Sequence, residues 1–401
     1  MPPRLDELFD SGLLVRPATQ HPNLVHLIRA LATLSGAPDV DRSPPVRQLI
    51  DLIGPAEHYV FVLLDGLGMN ILPALPDDAF VRRSLKATIH STFPSTTACA
   101  LTSIATADWP NRHGVTGWFT HLPEQQLTAM ILPFAERFSA QPLALRGIKP
   151  QDVLPLPPIL PEFRTHRPLT LSPSYIANTP YNVYCRGGTP ALGYTSIETA
   201  VDSIVARVRA SAESSQRTYT YLSLHDIDTL CHHVGVEHDA VAPLVVGIDA
   251  ELNRLAASLA GLARLVVTAD HGLIDVEKPN QTLLEASDPL IELLQVPPSG
   301  DARMPIFHVR EGRCVEFQRQ FDDRFGDRML LVSVDEAEKL HLFGPGPLSL
   351  PARRRFGDFI AVAYRPAALS FHPPGKPVGN LYVAVHAGLS PEEMLVPLCI
   401  A

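Results

Sequence analysis

The chain has 401 residues, of which 46% are hydrophobic and 19% are charged, and its 33 Lys and Arg against 42 Asp and Glu give a net charge of −9. This balance excludes a disordered chain, because disorder requires low hydrophobicity and high net charge. It also argues against binding to nucleic-acid polymers, which needs a basic surface to neutralise phosphates. A small anionic substrate fits the composition only if metal cations attract it locally.

The N-terminus carries Asp6, Glu7 and Asp10 where a signal peptide would need a basic stretch followed by an apolar one. No apolar run approaches the ~18 residues of a membrane span. The five cysteines are scattered, odd in number and without CxxC spacing, which favours free thiols in a reducing compartment. We therefore predict a cytoplasmic protein with no membrane span. The sequence leaves the oligomeric state open.

A nearly continuous apolar run, HYVFVLLDG, predicts a strand that is buried on both faces, as in a parallel sheet. Three later runs repeat its pattern of an apolar stretch followed by polar residues, and helical patterns separate the runs. This alternation predicts an α/β fold with a doubly wound, mostly parallel central sheet and helices on both faces. The predicted strands are 58–66, 218–224, 262–272 and 380–388, and the predicted helices are 196–209 and 241–260.

Two stretches interrupt this alternation. Segment 120–180 is irregular, and segment 277–374 contains a predicted hairpin around Glu311-Gly312 followed by the helix-like sequences FDDRFGDRM and SVDEAEKLHLFG. We interpret the second stretch as an inserted α+β cap subdomain, after which the chain returns to the central sheet at Asn380. The predicted division is a main α/β domain, 1–276 and 375–401, and a cap, 277–374.

Potential metal ligands follow three of the apolar runs. Asp65 ends the first run, although an aspartate that caps the next turn is a common structural alternative. Asp270 and His271 end a later run, and both side chains can meet one metal if the backbone turns there, as Gly272 permits. His386 follows LYVAV, where a hydrogen-bonded core histidine is an equally good interpretation.

The segment YLSLHDIDTLCHHVG supplies a further pair of ligands. Asp228 and His232 are four residues apart, so a helical turn places both on one face, as two ligands to one ion require. The neighbouring His225 and Asp226 leave the choice of ligands open, and His233 is interpreted as a surface residue.

The candidate ligands together comprise three carboxylates and three imidazoles. Bound molecules in doubly wound sheets collect beyond the carboxyl ends of the strands. We therefore expect the candidate metal-binding side chains at these ends to converge. A mixed oxygen and nitrogen set suits Zn²⁺ and accepts Mn²⁺. The prediction is two divalent metal ions, held by Asp65, Asp228, His232, Asp270, His271 and His386.

Segment 90–117 supplies hydroxyl groups to the same region. Pro94 fixes a turn, and Ser95, Thr96 and Thr97 follow it where a helix of small residues begins. A helix N-terminus stabilises an alkoxide and a bound phosphate. One of these hydroxyls can equally cap the helix, and both roles can coexist because three hydroxyls are present.

Five motifs follow one another between Val60 and Pro397: VFVLLDGLG, FPSTTACALTSIATA with NRHGVTG, DIDTLCHHVG, TADHG and HAGLSPEEMLVP. Each is weak alone, but in this order they resemble the type I phosphodiesterase/nucleotide pyrophosphatase family of the alkaline phosphatase superfamily. The resemblance implies a metal-dependent hydrolase of phosphoric esters, with phosphodiesters as the expected substrates.

The resemblance also implies a role for each candidate residue. Thr97 is the expected nucleophile, because the family's reactive threonine lies three residues after the proline of its Phe-Pro turn; Thr96 is the alternative. Attack by Thr97 would form a phosphothreonine, which water then hydrolyses. The resemblance places Asp65, Thr97, Asp270 and His271 around one metal ion and Asp228, His232 and His386 around the other.

The chain departs from the family at Trp118, where nucleotide pyrophosphatases usually have an asparagine that helps bind a phosphoryl oxygen. The indole can contact the leaving group or pack under the site, so a nucleotide substrate does not follow from the resemblance. A sulfatase is disfavoured because Cys99 lies in CALTS and not in a CxPxR-type sequence.

Two further interpretations stay open: a phosphonate or phosphomonoester hydrolase that uses the same site, and a non-catalytic metal-binding member of the fold. A kinase or nucleotide-fold transferase is disfavoured because the chain has neither GxxxxGK[ST] nor GxGxxG.

Overall fold

The computed structural model describes residues 3–17, 20–375 and 381–401. Its α-helices are α1 (Leu5–Asp10), α2 (Leu24–Leu34), α3 (Pro44–Ile53), α4 (Phe80–Ser84), α5 (Thr97–Thr106), α6 (Pro110–His113), α7 (Pro150–Val153), α8 (Pro180–Cys185), α9 (Ile197–Glu213), α10 (Asp226–Val234), α11 (Val241–Ser258), α12 (Pro289–Glu292), α13 (Cys314–Phe325), α14 (Val334–Lys339), α15 (Leu350–Phe356) and α16 (Pro391–Met394). Short 3₁₀ helices span Leu72–Ala74, Pro123–Gln125, Leu143–Arg146, Leu160–Glu162 and Lys278–Asn280.

The strands are β1 (His58–Leu64), β2 (Leu85–His90), β3 (Phe119–Leu122), β4 (Leu127–Met130), β5 (Ala135–Glu136), β6 (Arg167–Pro173), β7 (Ala191–Tyr194), β8 (Thr218–Leu224), β9 (Arg264–Thr268), β10 (Ile274–Asp275), β11 (Gln281–Glu285), β12 (Ser299–Asp301), β13 (Met304–Phe307), β14 (Met329–Ser333), β15 (Phe359–Ala363), β16 (Ala368–His372), β17 (Ala384–Val385) and β18 (Leu395–Ile400). Among these described residues, no helix is both long and apolar enough to cross a membrane.

The central sheet has seven strands in the order β2-β18-β9-β1-β8-β6-β7. Strands β9, β1, β8, β6 and β7 pair in parallel, and β18 runs antiparallel to both of its neighbours. Every residue of β1 is buried, which requires helices on both faces of the sheet. The predicted α/β, doubly wound and mostly parallel fold is confirmed.

Both helices predicted between these strands are present, with slightly different ends. Helix α9 starts one residue later than predicted, because the Ser196 side chain caps it by accepting a hydrogen bond from the Thr199 N–H. It continues beyond the predicted end to Glu213, and α11 ends two residues before the predicted end.

A second seven-stranded sheet, in the order β14-β15-β13-β12-β3-β4-β5, stands apart from the first. Its strands come from two distant parts of the chain, because β12 of the predicted cap pairs with β3 through Gly300 and Phe119. The two stretches that interrupt the alternation of strands and helices therefore share one sheet. The division into a catalytic domain and a cap stays a prediction.

One local prediction for the cap is wrong and another is confirmed in part. Glu311-Gly312 is not a hairpin turn but leads into α13, and the hairpin lies earlier, between β12 and β13. FDDRFGDRM is helical only up to Phe325, where α13 ends; Phe317, Phe321 and Phe325 form the buried face of this helix. The following residues turn into β14.

The predicted strand 380–388 is also wrong in extent and partner. Within its described part, residues 381–388, only Ala384–Val385 is a strand, and it pairs with β10 in a separate two-stranded sheet. Asn380, where we expected the chain to rejoin the central sheet, lies outside the described residues. The chain joins that sheet through β18, which starts at Leu395.

A buried ion pair connects the second sheet with the loop that carries His386. The Arg303 guanidinium donates two hydrogen bonds to the Glu393 carboxylate at 2.7 and 2.9 Å. Glu393 also accepts the backbone N–H groups of Gly388 and Ser390 at 2.7 and 3.3 Å. Removing either charge would leave the other buried without compensation.

Candidate active site

The candidate ligands lie around the carboxyl ends of three neighbouring strands of the central sheet. Asp65 follows β1, Asp270 and His271 follow β9, and Asp228 lies in the first turn of α10, beyond β8. Parallel strands expose their carboxyl ends at one edge, and the short turns after them bring these side chains together.

Thr97 is the first residue of α5, the ten-residue helix preceded by Thr96 in an extended conformation. Its Oγ1 lies 2.9 Å from Nε2 of His271 and 3.5 Å from Oδ1 of Asp65. The first-turn N–H groups of a helix lack carbonyl partners within the helix, so they favour an anion at this position. The Thr97 hydroxyl is therefore the one that faces the candidate ligands.

The first group of ligands consists of Asp65, Asp270 and His271, whose ligand atoms all lie within 4.8 Å of one another. Oδ1 of Asp270 accepts the N–H groups of Gly66 and His271, whereas its Oδ2 is buried without a hydrogen-bond partner. Gly272 serves close packing here, because a Cβ atom would overlap the Glu392 carbonyl oxygen.

The second group consists of Asp228, His271 and His386, also within 4.8 Å of one another, so His271 borders both groups. Nε2 of His232 lies 3.3 Å from Oδ1 of Asp228, as the predicted spacing on one helix face requires. Both Asp228 and His232 are therefore on the same side of α10. His233, which is next to His232 in sequence, is exposed and does not belong to this group.

Backbone carbonyl groups orient two of the imidazoles. Nδ1 of His232 donates to the Ala384 carbonyl at 2.7 Å, and Nδ1 of His386 donates to the Ser95 carbonyl at 3.1 Å. Because a carbonyl oxygen only accepts, each Nδ1 carries the proton and each Nε2 keeps a lone pair for a metal.

Burial and the crowding of like groups shift the pKa values of these side chains. Burial raises the pKa of Asp65 well above its usual range, and the neighbouring Asp270 and Asp228 raise it further. Burial also raises the pKa of Asp228 to about 7. Burial lowers the pKa of His386 and His232, and the adjacent imidazoles contribute. Buried carboxylates next to neutral imidazoles need a positive partner.

The residues present fit divalent metal ions. Asp228 Oδ1 and Asp270 Oδ2 are buried without hydrogen-bond partners, and each lies in a different group of ligands. Buried carboxylate oxygens are nearly always satisfied in folded proteins. Carboxylate oxygens and imidazole nitrogens are ligands that Zn²⁺ accepts.

Three residues near the site escaped the sequence analysis or had no role in it. His225 donates from Nδ1 to Oδ2 of Asp65 at 2.8 Å, and Tyr382 stacks on His232 with ring centroids 4.3 Å apart. The carboxylate of Asp301, on β12 of the second sheet, accepts a hydrogen bond of 2.9 Å from the backbone N–H of Trp118. The motif around His225 was a usable signal, but nothing in the sequence near Asp301 or Tyr382 indicates such contacts.

A cavity of about 530 Å³ opens beside these ligands. Asp65, Thr97 and Asp228 line its polar end, together with Trp118. Trp118 is therefore one of the residues that line the cavity, and its role there stays a prediction.

The family model described as type I phosphodiesterase / nucleotide pyrophosphatase matches residues 59–365. A comparison with curated protein sequences finds no significant match. Among solved structures, an inactive form of murine ectonucleotide pyrophosphatase / phosphodiesterase 5 in complex with AMP is 16% identical, with a TM-score of 0.61 over 85% of this chain and 87% of that one. The human protein of the same name is 15% identical, with a TM-score of 0.62 over 85% of this chain and 87% of that one.

Phosphonoacetate hydrolase from Sinorhizobium meliloti, in complex with phosphonoformate, is 17% identical, with a TM-score of 0.58 over 85% of this chain and 89% of that one. At these identities the structural similarity speaks for the fold alone. The family match covers most of the chain, from the second residue of β1 to just beyond β15. This chain therefore belongs to the type I phosphodiesterase / nucleotide pyrophosphatase family of the alkaline phosphatase superfamily, and it is a hydrolase of phosphoric ester bonds.

Proposed function

We propose that this protein is a metal-dependent phosphodiesterase that acts through a phosphothreonine at Thr97. The observation that carries the proposal is the position of the Thr97 hydroxyl. It lies at a helix N-terminus, 2.9 Å from His271 Nε2 and 3.5 Å from Asp65 Oδ1. A hydroxyl in such surroundings is activated for attack on phosphorus.

Two divalent ions, Zn²⁺ in the first place and Mn²⁺ as the alternative, would be held by two sets of residues. Three histidines among the ligands favour zinc. Bound there, the ions would neutralise phosphoryl charge and lower the pKa of the nucleophile. The proposed sets are Asp65, Thr97, Asp270 and His271 for one ion and Asp228, His232 and His386 for the other.

The chain's own residues then divide the reaction into two steps. Oγ1 of Thr97 forms a bond to phosphorus, the bond from phosphorus to one ester oxygen breaks, and the alcohol leaves with a proton. Water next cleaves the phosphothreonine and restores the Thr97 hydroxyl. The free N–H groups in the first turn of α5 stabilise the negative oxygens in both steps.

A diester suits the surroundings of the site better than a monoester dianion. Of the described residues that line the cavity, Arg186 is the only Lys or Arg, and its guanidinium already donates to the Ala177 carbonyl at 2.7 Å. A singly charged diester needs less additional positive charge, and its second organic group can occupy the cavity. AMP and phosphonoformate, bound in the similar structures, support a small anionic phosphoryl substrate.

A phosphonate or phosphomonoester hydrolase is the second candidate, favoured by the shared fold with phosphonoacetate hydrolase. We also propose a cytoplasmic location, supported by five cysteines that are all free. Trp118 is proposed to contact the organic group of the substrate, since it lines the cavity beside Thr97.

The decisive experiment compares bis(4-nitrophenyl) phosphate, 4-nitrophenyl phosphate and phosphonoacetate on protein whose metal content has been measured. We expect kcat/KM for the diester to exceed the others by at least about tenfold, a difference of ~1.4 kcal/mol. Thr97→Ala should lose the activity and keep its metal, with Thr96→Ala as the matched control. Full activity in Thr97→Ala, or faster turnover of the monoester or phosphonate, would overturn the corresponding part of the proposal.

A further inference from the structure

The cavity beside Thr97 extends far beyond the space that a phosphoryl group needs. Its volume is about 530 Å³, within the size range of sites for small organic ligands. From the polar end at Asp65 and Thr97 it continues between α5 and β8 to Ile28 and Phe163.

Two independent elements give the length of this cavity. Thr97, Leu101, Ile104 and Ala105 line it from α5, and their spacing places them on one face of the helix. Eight residues of helix correspond to about 12 Å. On the opposite wall, alternate residues of β8 from Ser223 to Tyr219 line the cavity, and this part of a strand spans about 13 Å.

The deep part of the cavity is mainly apolar. Leu101, Ile104 and Leu171 line its walls, and the rings of Phe163 and Tyr219 meet edge to face at 4.9 Å near the inner end. Water gains little there, because an ordered buried water needs two to four polar partners.

The carboxylates and the imidazole of the lining, those of Asp65, Asp228 and His225, lie where the phosphoryl group would sit. Uncharged polar side chains such as Ser172 and Asn182 also line the cavity, but apolar surface predominates. The wall formed by Leu101 and Ile104 offers no partner to donors or acceptors, so burying a polar group against it would be unfavourable. An uncharged, elongated group avoids this cost.

We propose that the cavity binds an elongated apolar group of the substrate, so that the enzyme prefers phosphodiesters of long-chain or extended aryl-alkyl alcohols. This inference rests on the proposed phosphodiesterase function. The cavity opens at the nucleophile, so its occupant is the organic group attached to the phosphorus that Thr97 attacks. A length of about 12 Å accommodates an alkyl chain of roughly eight carbons, whose C–C bonds are ~1.5 Å.

The test uses a series of alkyl 4-nitrophenyl phosphates from methyl to dodecyl, with release of 4-nitrophenol as the measured reaction. We expect kcat/KM to rise by up to about threefold per added methylene until the chain fills the cavity. Beyond about eight carbons the rise should stop. Equal kcat/KM for the methyl and octyl esters would overturn the inference and leave the proposed function intact.

A variant locates the effect within the molecule. Ala105→Phe places a ring at the inner end of the α5 wall, so the ratio of kcat/KM for the octyl ester to that for the methyl ester should fall at least tenfold. Ala210→Phe, on the exposed surface of α9, is the matched control and should keep the ratio of the unmodified enzyme. An unchanged ratio in folded Ala105→Phe would contradict the proposed location.

Binding provides a second measurement that does not depend on turnover. Calorimetry with metal-loaded Thr97→Ala should give a Kd for octyl phosphate at least about thirtyfold below that for methyl phosphate, with a negative heat-capacity change. If no diester is hydrolysed by the unmodified enzyme but octyl phosphate binds selectively, the proposed function fails while the cavity assignment stands. Equal Kd values for the two phosphates would overturn the cavity assignment.

Discussion

The two seven-stranded sheets contribute different things to the site. Strands β1, β8 and β9 of the central sheet are largely buried, and the chain just beyond each of them supplies candidate ligands from the same local motif. The second sheet is formed by pairing of distant segments, and it reaches the site through one carboxylate, that of Asp301. The candidate ligands thus belong to contiguous motifs, whereas their support comes from long-range packing.

The largest effect is expected for a candidate metal ligand that follows a strand of the central sheet. Asp270→Ala removes a carboxylate from the ligand group at the end of β9, and we expect kcat/KM for a diester to fall about 10⁴-fold, since the ion that this carboxylate helps to hold would be lost or displaced. Metal analysis should record loss of bound metal. Asp202→Ala, which removes an exposed partner of Arg254, is the control. Normal activity and metal content in Asp270→Ala would contradict the ligand assignment.

The second-largest effect is expected at the buried ion pair between the second sheet and the His386 loop. Arg303→Met leaves Glu393 as a buried carboxylate without its charge partner, which should reduce the free energy of unfolding by about 3–5 kcal/mol. Urea denaturation measures the change. Arg353→Met, at an exposed ion pair with Asp335, should cost at most ~1 kcal/mol. Equal losses in the two variants would mean that the buried pair does not hold the sheets together.

A pH experiment on metal-free protein tests the crowding of carboxylates beyond the central sheet. Burial raises the pKa of Asp228 from 3.8 to about 7, so the folded state binds this proton more tightly than the unfolded state. The contribution of this group is therefore present below about pH 4 and is lost as the pH rises towards 7. Asp228→Asn should be more stable than unmodified metal-free protein by about 4 kcal/mol at pH 8.

At pH 4 the same two proteins should unfold at nearly the same urea concentration, because the carboxyl group is then mostly neutral in the folded state. Measurements in a chelator at pH 4, 6 and 8 resolve this dependence. A constant difference across the three pH values would show that packing, and not the charge of Asp228, governs the effect.

Local patterns predicted residues that the structure brings together at the candidate site. Helical spacing alone placed Asp228 and His232 on one face of α10, whereas the choice of Thr97 over Thr96 came from the family resemblance. The 380–388 strand was wrong because a short continuous apolar run such as LYVAV fits a two-residue ribbon as well as a strand of the central sheet. Asp301 was not predictable, because its contact with Trp118 arises from strand pairing between residues about 180 positions apart. The cavity walls likewise combine segments that only tertiary packing brings together.

The smallest effect is expected at Asp301, where a substitution tests whether the second sheet positions groups of the candidate site. Its carboxylate accepts the Trp118 N–H at 2.9 Å, and burial raises its pKa to about 6, although the Trp118 N–H and the Thr96 hydroxyl act in the opposite direction. Asp301→Ala leaves the Trp118 N–H without its acceptor, which should cost ~1–2 kcal/mol of stability. Because Trp118 lines the cavity beside Thr97, we also expect kcat/KM for a diester to fall about tenfold, that is by ~1.4 kcal/mol.

Asp301→Asn keeps an oxygen acceptor of nearly the same shape and is the matched control, so its kcat/KM should stay within about twofold of the original. If the charge of Asp301 mattered instead, both variants would lose activity equally, and the loss would appear only above about pH 6, where the original carboxyl group is ionised. A loss confined to Asp301→Ala and independent of pH would assign the second sheet a positioning role, exerted through the backbone of Trp118. The central sheet would then supply the reacting groups and the second sheet the shape of the space in front of them.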